Sequence, residues 1–500
     1  MGQACEGGDA ESCGLLGALY AAGIGVVDAS ALMPHSLLIL PLLVCLGQTS
    51  EPPQPEPAVQ ARLSFLASDA DLDAPGSSTA WNVALEAHTP ELASGLRAEA
   101  ALSFFLSTEG TSQVVGFRDN GSAFRLRYRP SGWALREGVV FSVLPLSSTR
   151  MYLGFSYPVA WGQQAFPRRS SGEPGLELSL SRQRWSFFAA TRSAVVIDDL
   201  KLEESRHYAL LAGGSLEVAP GLRLELKGAY LNRGQAPGPA AQGIELSVDA
   251  KGGTLLALWQ QGSPIGDSID LSLHGGDPAF FERFFTPETY PGGLSASVSL
   301  EGSLVSQRLQ DADAVAGQAR NELAQAAALE AKLKQGSWRV HAQAYLRTPS
   351  FIQVDVPGLP PYRAFARDAG LRSEVSGTLG IDYFFQGWGV TPGLLARVAL
   401  PAAYRGLEGS VLPGGELRNV VLRAPNVLSP LPVGTDRRPV LTVKATARWD
   451  LGPVAGMLAE LFYVRDPNQT RFVEDETGLG DFALQPPNAV GVNLLLQARF

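Results

Sequence analysis

The final stretch, Ala489 to Phe500, alternates with period two. Val492, Leu494, Leu496, Ala498 and Phe500 fall on one side and Asn493, Gln497 and Arg499 on the other, with only Leu495 out of pattern. Successive side chains of a strand point to opposite faces, so this is a ribbon with one oily and one wet face. The same alternation recurs from Val59 onward in about twenty-two candidate strands. A chain built this way must either pack its oily faces together as a soluble sandwich or turn them towards a non-aqueous neighbour. Four further stretches are as clean. Phe124, Leu126 and Tyr128 oppose Arg125, Arg127 and Arg129; Leu222, Leu224, Leu226 and Tyr230 oppose Arg223, Glu225 and Lys227. Leu379, Ile381, Tyr383 and Phe385 oppose Thr378 and Asp382; Val443, Ala445, Ala447 and Trp449 oppose Lys444, Thr446, Arg448 and Asp450.

Composition weighs on the choice of neighbour. Only 18% of the 500 residues are charged, and glycine is plentiful at 54, against about a quarter charged in soluble domains. No apolar run approaches the length of a spanning helix, and a closed barrel is the other way to satisfy backbone groups in lipid. A net charge of −9 argues against a nucleic-acid partner. Cys5, Cys13 and Cys45 all precede the alternating region, so no disulfide and no cysteine metal site is expected within it.

The connections give an independent signal. Counted back from the last strand, tight turns fall on one predicted side: Asp450 to Pro453, Phe385 to Gly389, Lys334 to Ser337, Lys251 to Gly253, Val218 to Gly221, Ser147 to Arg150 and Asp119 to Gly121. The long connections 465–488, 401–437, 347–372, 305–321 and 162–173 fall on the other. Residues 275–291, with Phe280, Phe281, Phe284, Phe285 and Tyr290, break the rule. The Ala/Gln-rich stretch 318–335 has helical propensity, but Leu323, Leu329 and Leu333 oppose Glu322, Glu330 and Lys334 with period two, which favours a strand.

A terminal amphipathic strand ending in Phe500 resembles the closing strand of Gram-negative outer-membrane β-barrels. That resemblance implies a signal read by the barrel-insertion machinery and a bacterial outer-membrane location. Short turns at one end and long loops at the other are the asymmetry of such barrels. The expectation is an all-β, antiparallel, up-and-down transmembrane barrel of about 16–22 strands over 59–500. Ahead of it, 48–58 is a Pro-rich linker. Residues 33–47 have the layout of a secretory signal, although only His35 precedes the apolar core. Residues 4–32 resemble a single SEL-like, tetratricopeptide-related repeat, which has no neighbour to stack on, so 1–32 reads as a repeat-like or mistranslated extension.

Catalytic constellations are missing from the sequence. None of His35, His88, His207, His274 and His341 is followed two residues later by serine, the pair by which outer-membrane phospholipases resemble one another, and none has an adjacent aspartate. Gly213-Gly214 and Gly252-Gly253 do not extend into a phosphate-binding fingerprint. Asp466, Asn468, Asp475, Glu476 and Asp481 match no calcium-loop spacing. No enzyme, cofactor or metal is expected.

If the oily side meets lipid, the residues facing it are Phe124, Leu126, Tyr128, Leu222, Leu224, Leu226, Leu379, Ile381, Tyr383, Val443, Trp449, Val492, Leu494, Leu496 and Phe500. The lumen then receives Arg125, Arg127, Arg129, Glu177, Arg223, Glu225, Lys227, Asp382, Arg397, Lys444, Arg448 and Arg499. Three arginines on one strand either favour anionic solutes or pair with carboxylates such as Glu177, Glu225 or Asp382. The expected function is passive or weakly selective passage of small solutes through a polar lumen, constricted by infolded loops such as 347–372 or 401–437. The alternatives are a surface-interaction barrel that binds through its long loops, and a soluble all-β secreted protein.

Overall fold

In the computed structural model the described residues are 59–69, 78–109, 115–119, 121–146, 153–154, 174–198, 203–236, 243–266, 292–315, 317–355, 362–407, 417–424, 427–452, 454–474 and 480–500. The main sheet consists of β1 (Val59–Asp69), β2 (Ser78–His88), β3 (Leu96–Glu109), β4 (Val115–Asp119), β5 (Ala123–Tyr128), β6 (Gly138–Leu144), β7 (Gly175–Ser181), β8 (Trp185–Asp198) and β9 (Glu203–Ala219). It continues through β10 (Leu222–Gln235), β11 (Ser247–Gln261), β12 (Leu294–Gln310), β13 (Ala319–Gln335), β14 (Trp338–Arg347), β15 (Glu374–Tyr383) and β16 (Val390–Leu400). One long connection carries the small sheet β17 (Ala402–Gly406), β18 (Arg418–Ala424) and β19 (Val427–Pro430). Then β20 (Val440–Asp450) and β21 (Ala455–Arg465) lead through the hairpin β22 (Thr470–Glu474) and β23 (Gly480–Leu484) to β24 (Asn488–Arg499). A single helix, α1 (Pro349–Asp355), follows β14.

Every neighbour in the main sheet is antiparallel, and β24 pairs back onto β1 from Arg62↔Arg499 to Asp69↔Val492. Phe500 completes the seam by exchanging backbone hydrogen bonds with Ala61 at 2.8 and 3.0 Å. The sheet is therefore closed. Its nineteen strands make eighteen staves, because β4 and β5 lie end to end on the same partner, β3.

The Asp119 to Gly121 segment is thus a bulge and not a hairpin. Phe104 pairs with Asp119 and Ala101 with Ala123, leaving one extra residue on the bulged side. Gly121 takes a φ of 76°, and the Asp119 carboxylate accepts hydrogen bonds from the N–H groups of Gly121 and Ser122. Asn-Gly signals a left-handed residue, which a bulge needs as much as a tight turn does. Lys251 to Gly253 is not a turn either. The ladder runs unbroken through Tyr230↔Lys251, Ala229↔Gly252 and Gly228↔Gly253, and neither glycine has the positive φ of a Gly-Gly hairpin. So the strands that period two suggests at 112–117 and 122–129 form one stave in their described parts, and those at 240–250 and 253–261 form another. Of a further strand that period two suggests at 150–159 only Leu153 and Gly154 are described, and a suggested strand at 267–274, the turn at 147–150, residues 275–291 and everything before Val59 lie outside the described residues. The 305–321 connection shrinks to 311–318, since β12 and β13 are seventeen-residue strands.

The start of β1 and the end of β24 meet at one end of the cylinder, the near end. There the connections at 182–184, 220–221, 336–337, 384–389 and 451–454 are short, whereas 348–373, 401–439 and 466–487 stand at the far end. One near-end connection, 262–293, is long. It starts by turning inward: Ser263 bonds Ser295 through both its N–H and its hydroxyl at 2.9 Å, and Lys334 Nζ donates to the Pro264 carbonyl at 2.9 Å.

The outer face is apolar and bounded by rings. Trp185, Trp259, Trp338, Trp449 and Phe500 stand exposed towards the near end, and Trp81, Tyr208, Tyr230 and Tyr463 towards the far end. Between them lie exposed leucines such as Leu224, Leu226, Leu255, Leu300, Leu329, Leu379 and Leu394. The inner face carries the buried set, including Ser64, Asn82, Thr254, Glu301, Gln307 and Glu460.

Two near-end turns offer a test. Gly221 (φ 75°) and Gly336 (φ 58°) are both left-handed, but a Cβ at Gly221 would sit 2.2 Å from the Gln260 carbonyl oxygen, while Gly336 has open space. Gly336→Ala is expected to cost about 1–2 kcal/mol. Gly221→Ala should cost clearly more, read as the lower temperature at which the folded, fast-migrating band is lost. Equal losses would mean that the approach of Gln260 is unimportant.

Candidate functional site: the lumen

The charges of the inner face are arranged in two ways. Along β13 to β21 they are paired, and they range from buried, as at Arg339, Asp382 and Glu460, to about one-third exposed, as at Arg347 and Arg397. Arg339 Nε lies 3.0 Å from both oxygens of Asp382, and His341 Nε2 is 3.4 Å from the same carboxylate. Glu374 accepts from Arg347 at 2.7 Å and faces Arg397 at 3.7 Å. Glu460 is held by Lys444 at 3.5 Å and Asn493 at 2.9 Å, and Glu330 by Lys332 at 3.3 Å and Gln343 at 3.0 Å. Arg448 reaches Asp450 at 2.9 Å. A buried carboxylate without such partners would be costly, so these pairs close this part of the wall.

The near-end half of β3 to β10 is different. Arg125, Arg127 and Arg129 share the parity of buried Ala123, and Arg97 and Glu99 that of Ser103 and Phe105. Arg127 is 3.2 Å from Glu99, yet its side chain keeps 48% of its exposure. Arg223, 2.9 Å from Glu225, keeps 49%. Of the three carboxylates expected to neutralise the arginines, Asp382 is engaged by Arg339 and His341 and Glu225 by Arg223; the one beside Arg127 is Glu99. Glu177 sits across from Ser142 and Ala190 on the same inner face. Arg499 donates to Gln60, and Arg62 pairs with Glu86.

The residues expected on the oily side all have the opposite parity. Phe124, Leu126, Tyr128, Leu224, Leu226, Leu379, Ile381, Val443, Trp449, Val492 and Phe500 are exposed on the outer face. Leu222, Tyr383, Leu494 and Leu496 are half-buried on that face. Leu495 is explained by what it touches: it is fully buried on the inner face with Phe105 and Leu458, and Leu66 and Ala80 pack against them.

Part of a far-end connection enters the lumen. Helix α1 puts Phe351 and Val354 into one cluster with Ala209, Leu231, Ala250, Val305, Ala324, Ala326 and Ala328 of the inner wall. The alanines of β13 that give it helical propensity are, on this face, the shallow surface that leaves room for α1. Two buried side chains of the wall hold the segment by its backbone, Arg233 donating to the Val354 carbonyl and Gln307 to that of Ser350 at 2.8 Å, and from the helix itself the buried Gln353 side chain donates to the Arg363 carbonyl at 2.6 Å. Ser350 Oγ donates to Glu322 at 3.0 Å. Leu153 joins the same cluster, and Lys227 Nζ bonds the Gly154 carbonyl at 2.9 Å. Above α1, Phe365 and Ala369 pack with Ala402, Tyr404, Val420 and Leu422 of the small sheet as a cap. Nothing in the alternation of the strands points to Arg233 and Gln307 as anchors, because their partners are main-chain atoms of a distant loop.

Ion pairs lock the cap. Asp311 accepts from the Asp313 N–H at 3.0 Å and from Arg367 at 3.0 Å and Arg320 at 3.2 Å, which hold its carboxyl below the usual range. Arg372 at 2.6 Å does the same to Asp436, and Arg418 to Asp481. Among the described residues no group of three His, Cys, Asp or Glu side chains is placed to hold a metal.

These carboxyls bind protons less readily folded than unfolded, so their contribution is present above the ordinary value of 3.8 and is lost as pH falls through the depressed one. A spin label at Thr435 is expected to stay immobile at neutral pH and to loosen only as pH falls below about 4. Loosening at a higher pH would assign the cap to other groups.

No family model matches the sequence, and no curated protein matches it. Similar solved structures come from Pseudomonas aeruginosa. OpdO has a TM-score of 0.46 at 11% identity, over 88% of this chain and 96% of that one. OccK9 (OpdG) has a TM-score of 0.46 at 11% identity, over 88% and 97%. The outer membrane protein OprD has a TM-score of 0.43 at 11% identity, over 88% and 93%.

Proposed function

We propose that the protein is an outer-membrane channel that passes small solutes, with a preference for anions, through a lumen narrowed by α1. A closed barrel satisfies every stave in lipid, and its apolar outer face suits hydrocarbon, with Leu224, Leu226, Leu379 and Val443 against acyl chains. The near end, with its short turns, faces the periplasm and the capped end faces outward, the usual asymmetry. Phe500 and the strand before it serve the insertion machinery.

The observation that carries the reading is the contrast between the two parts of the inner wall. Side chains of β13 to β21 neutralise one another and keep at most 35% of their exposure in the pairs named, while Arg127 and Arg223 keep 48% and 49% inside a closed cylinder. Water therefore reaches the lumen along β3 to β10, where the excess charge is positive. An anion entering there meets Arg97, Arg125, Arg127 and Arg129, with Glu99 beside Arg127 and Glu177 two staves from Arg125 in the same row. Farther in, α1 and Leu153 reduce the bore and select by size.

Purified full-length protein in planar bilayers is expected to give discrete channels with anions more permeant than cations. Replacing Arg125, Arg127 and Arg129 together by Gln should reduce that ratio several-fold. Deleting 349–355 should raise unit conductance. A folded barrel that carries no current would overturn the channel and leave the long loops as a binding surface.

A further inference from the structure

Among the described residues, the outer face of the wall carries a polar recess. Asp249 and Lys251 of β11, Ser306 and Arg308 of β12, and Ala319 and Asn321 of β13 line an open cleft of about 430 Å³. All six have outward parity, since Val248, Ala250, Gln307, Leu309 and Ala324, the alternate residues, are buried inside. The register puts Asp249, Arg308 and Asn321 side by side in one row and Lys251 and Ser306 in the next.

Its height is what gives it meaning. Ten residues of β11 separate Asp249 from Trp259 of the near-end ring, which is roughly 33 Å along the strand and roughly 25 Å along the axis at the usual tilt. Tyr230, opposite Lys251, marks the far-end ring at the same level. Leu255, Leu300, Leu304 and Leu323 are exposed beside and below the cleft on the same face. Neither Lys251 nor Arg308 belongs to an ion pair among the described residues, although Asp249 lies directly across from Arg308. The cleft thus presents two cations against one carboxylate, with a hydroxyl and an amide as neutral donors, where headgroups of the outer leaflet begin.

We infer that this cleft binds the phosphate of a phosphorylated outer-leaflet lipid, with its acyl chains lying down the leucines beneath. This rests on the reading that the apolar outer face meets hydrocarbon. Guanidinium and ammonium groups hold phosphate through charge-assisted hydrogen bonds, and Ser306 and Asn321 donate to its remaining oxygens. A free anion would gain only the two cations; a lipid also gains the apolar contact, so an amphiphile is preferred.

The test uses the full-length barrel in detergent micelles and native mass spectrometry with bisphosphorylated lipid A. Lipid A of the same acylation without phosphate, and inorganic phosphate as competitor, form the other arms. Specific retention of the bisphosphorylated form, poorly displaced by inorganic phosphate, is expected. Lys251→Gln with Arg308→Gln should weaken it on the order of a hundredfold, about tenfold per cation. Equal retention of the dephosphorylated lipid by the unaltered protein would overturn the inference whether or not the variant folds. So would unchanged binding by a variant that keeps the heat-sensitive mobility of a folded barrel, or displacement by inorganic phosphate at the lipid's own affinity. Solubility without detergent, checked first, would instead remove the membrane reading itself.

Discussion

The seam between β1 and β24 is the contact on which the structure depends. Eighteen staves that did not meet would leave two rows of unpaired N–H and C=O groups, and in hydrocarbon each such group costs several kcal/mol. The register from Arg62↔Arg499 to Asp69↔Val492, completed by Phe500 and Ala61, removes both rows at once. Because the strand period is two, this register also decides which side chains are enclosed. Gln497 inside reaches Ser64 at 2.8 Å, while Leu494 and Leu496 stay on the outer face. A slip of one residue would exchange these sets.

The enclosed volume then has to be filled or wetted, and the wall does both. Carboxylates and cations from β13 to β21 meet close to the register that brings them opposite, as Arg339↔Asp382 shows. An apolar patch, Phe105 with Leu458 and Leu495, does the same without charge. The near-end parts of β3 and β5 place more guanidinium groups than carboxylates on adjacent staves, and that excess leaves side chains reaching into water.

Class of fold, direction of the faces and the long loops at one end are legible from residues alone, because period two is a local property that closure does not alter. Strand number is less so. At Gly121 and at Gly252-Gly253 the sequence offers the same glycine for a bulge, for a close approach of neighbouring backbones and for a turn, and only the partner strand distinguishes them. The pairing of individual lumenal charges was not readable either: Arg127 takes Glu99 because β3 and β5 are neighbours around a bulge. Helix α1 is visible only as a long loop, since seven residues with no acidic side chain in the first turn and no basic one in the last carry little helical signal of their own.

The anchors of α1 have a further consequence. Arg233 and Gln307 fasten this segment through its own carbonyl oxygens, and carbonyls are common to every amino acid. Several side chains along 349–355 can therefore be exchanged over evolutionary time without loosening the attachment. A lineage could retune the bore by changing a few letters in one short insert, leaving the cylinder around it untouched.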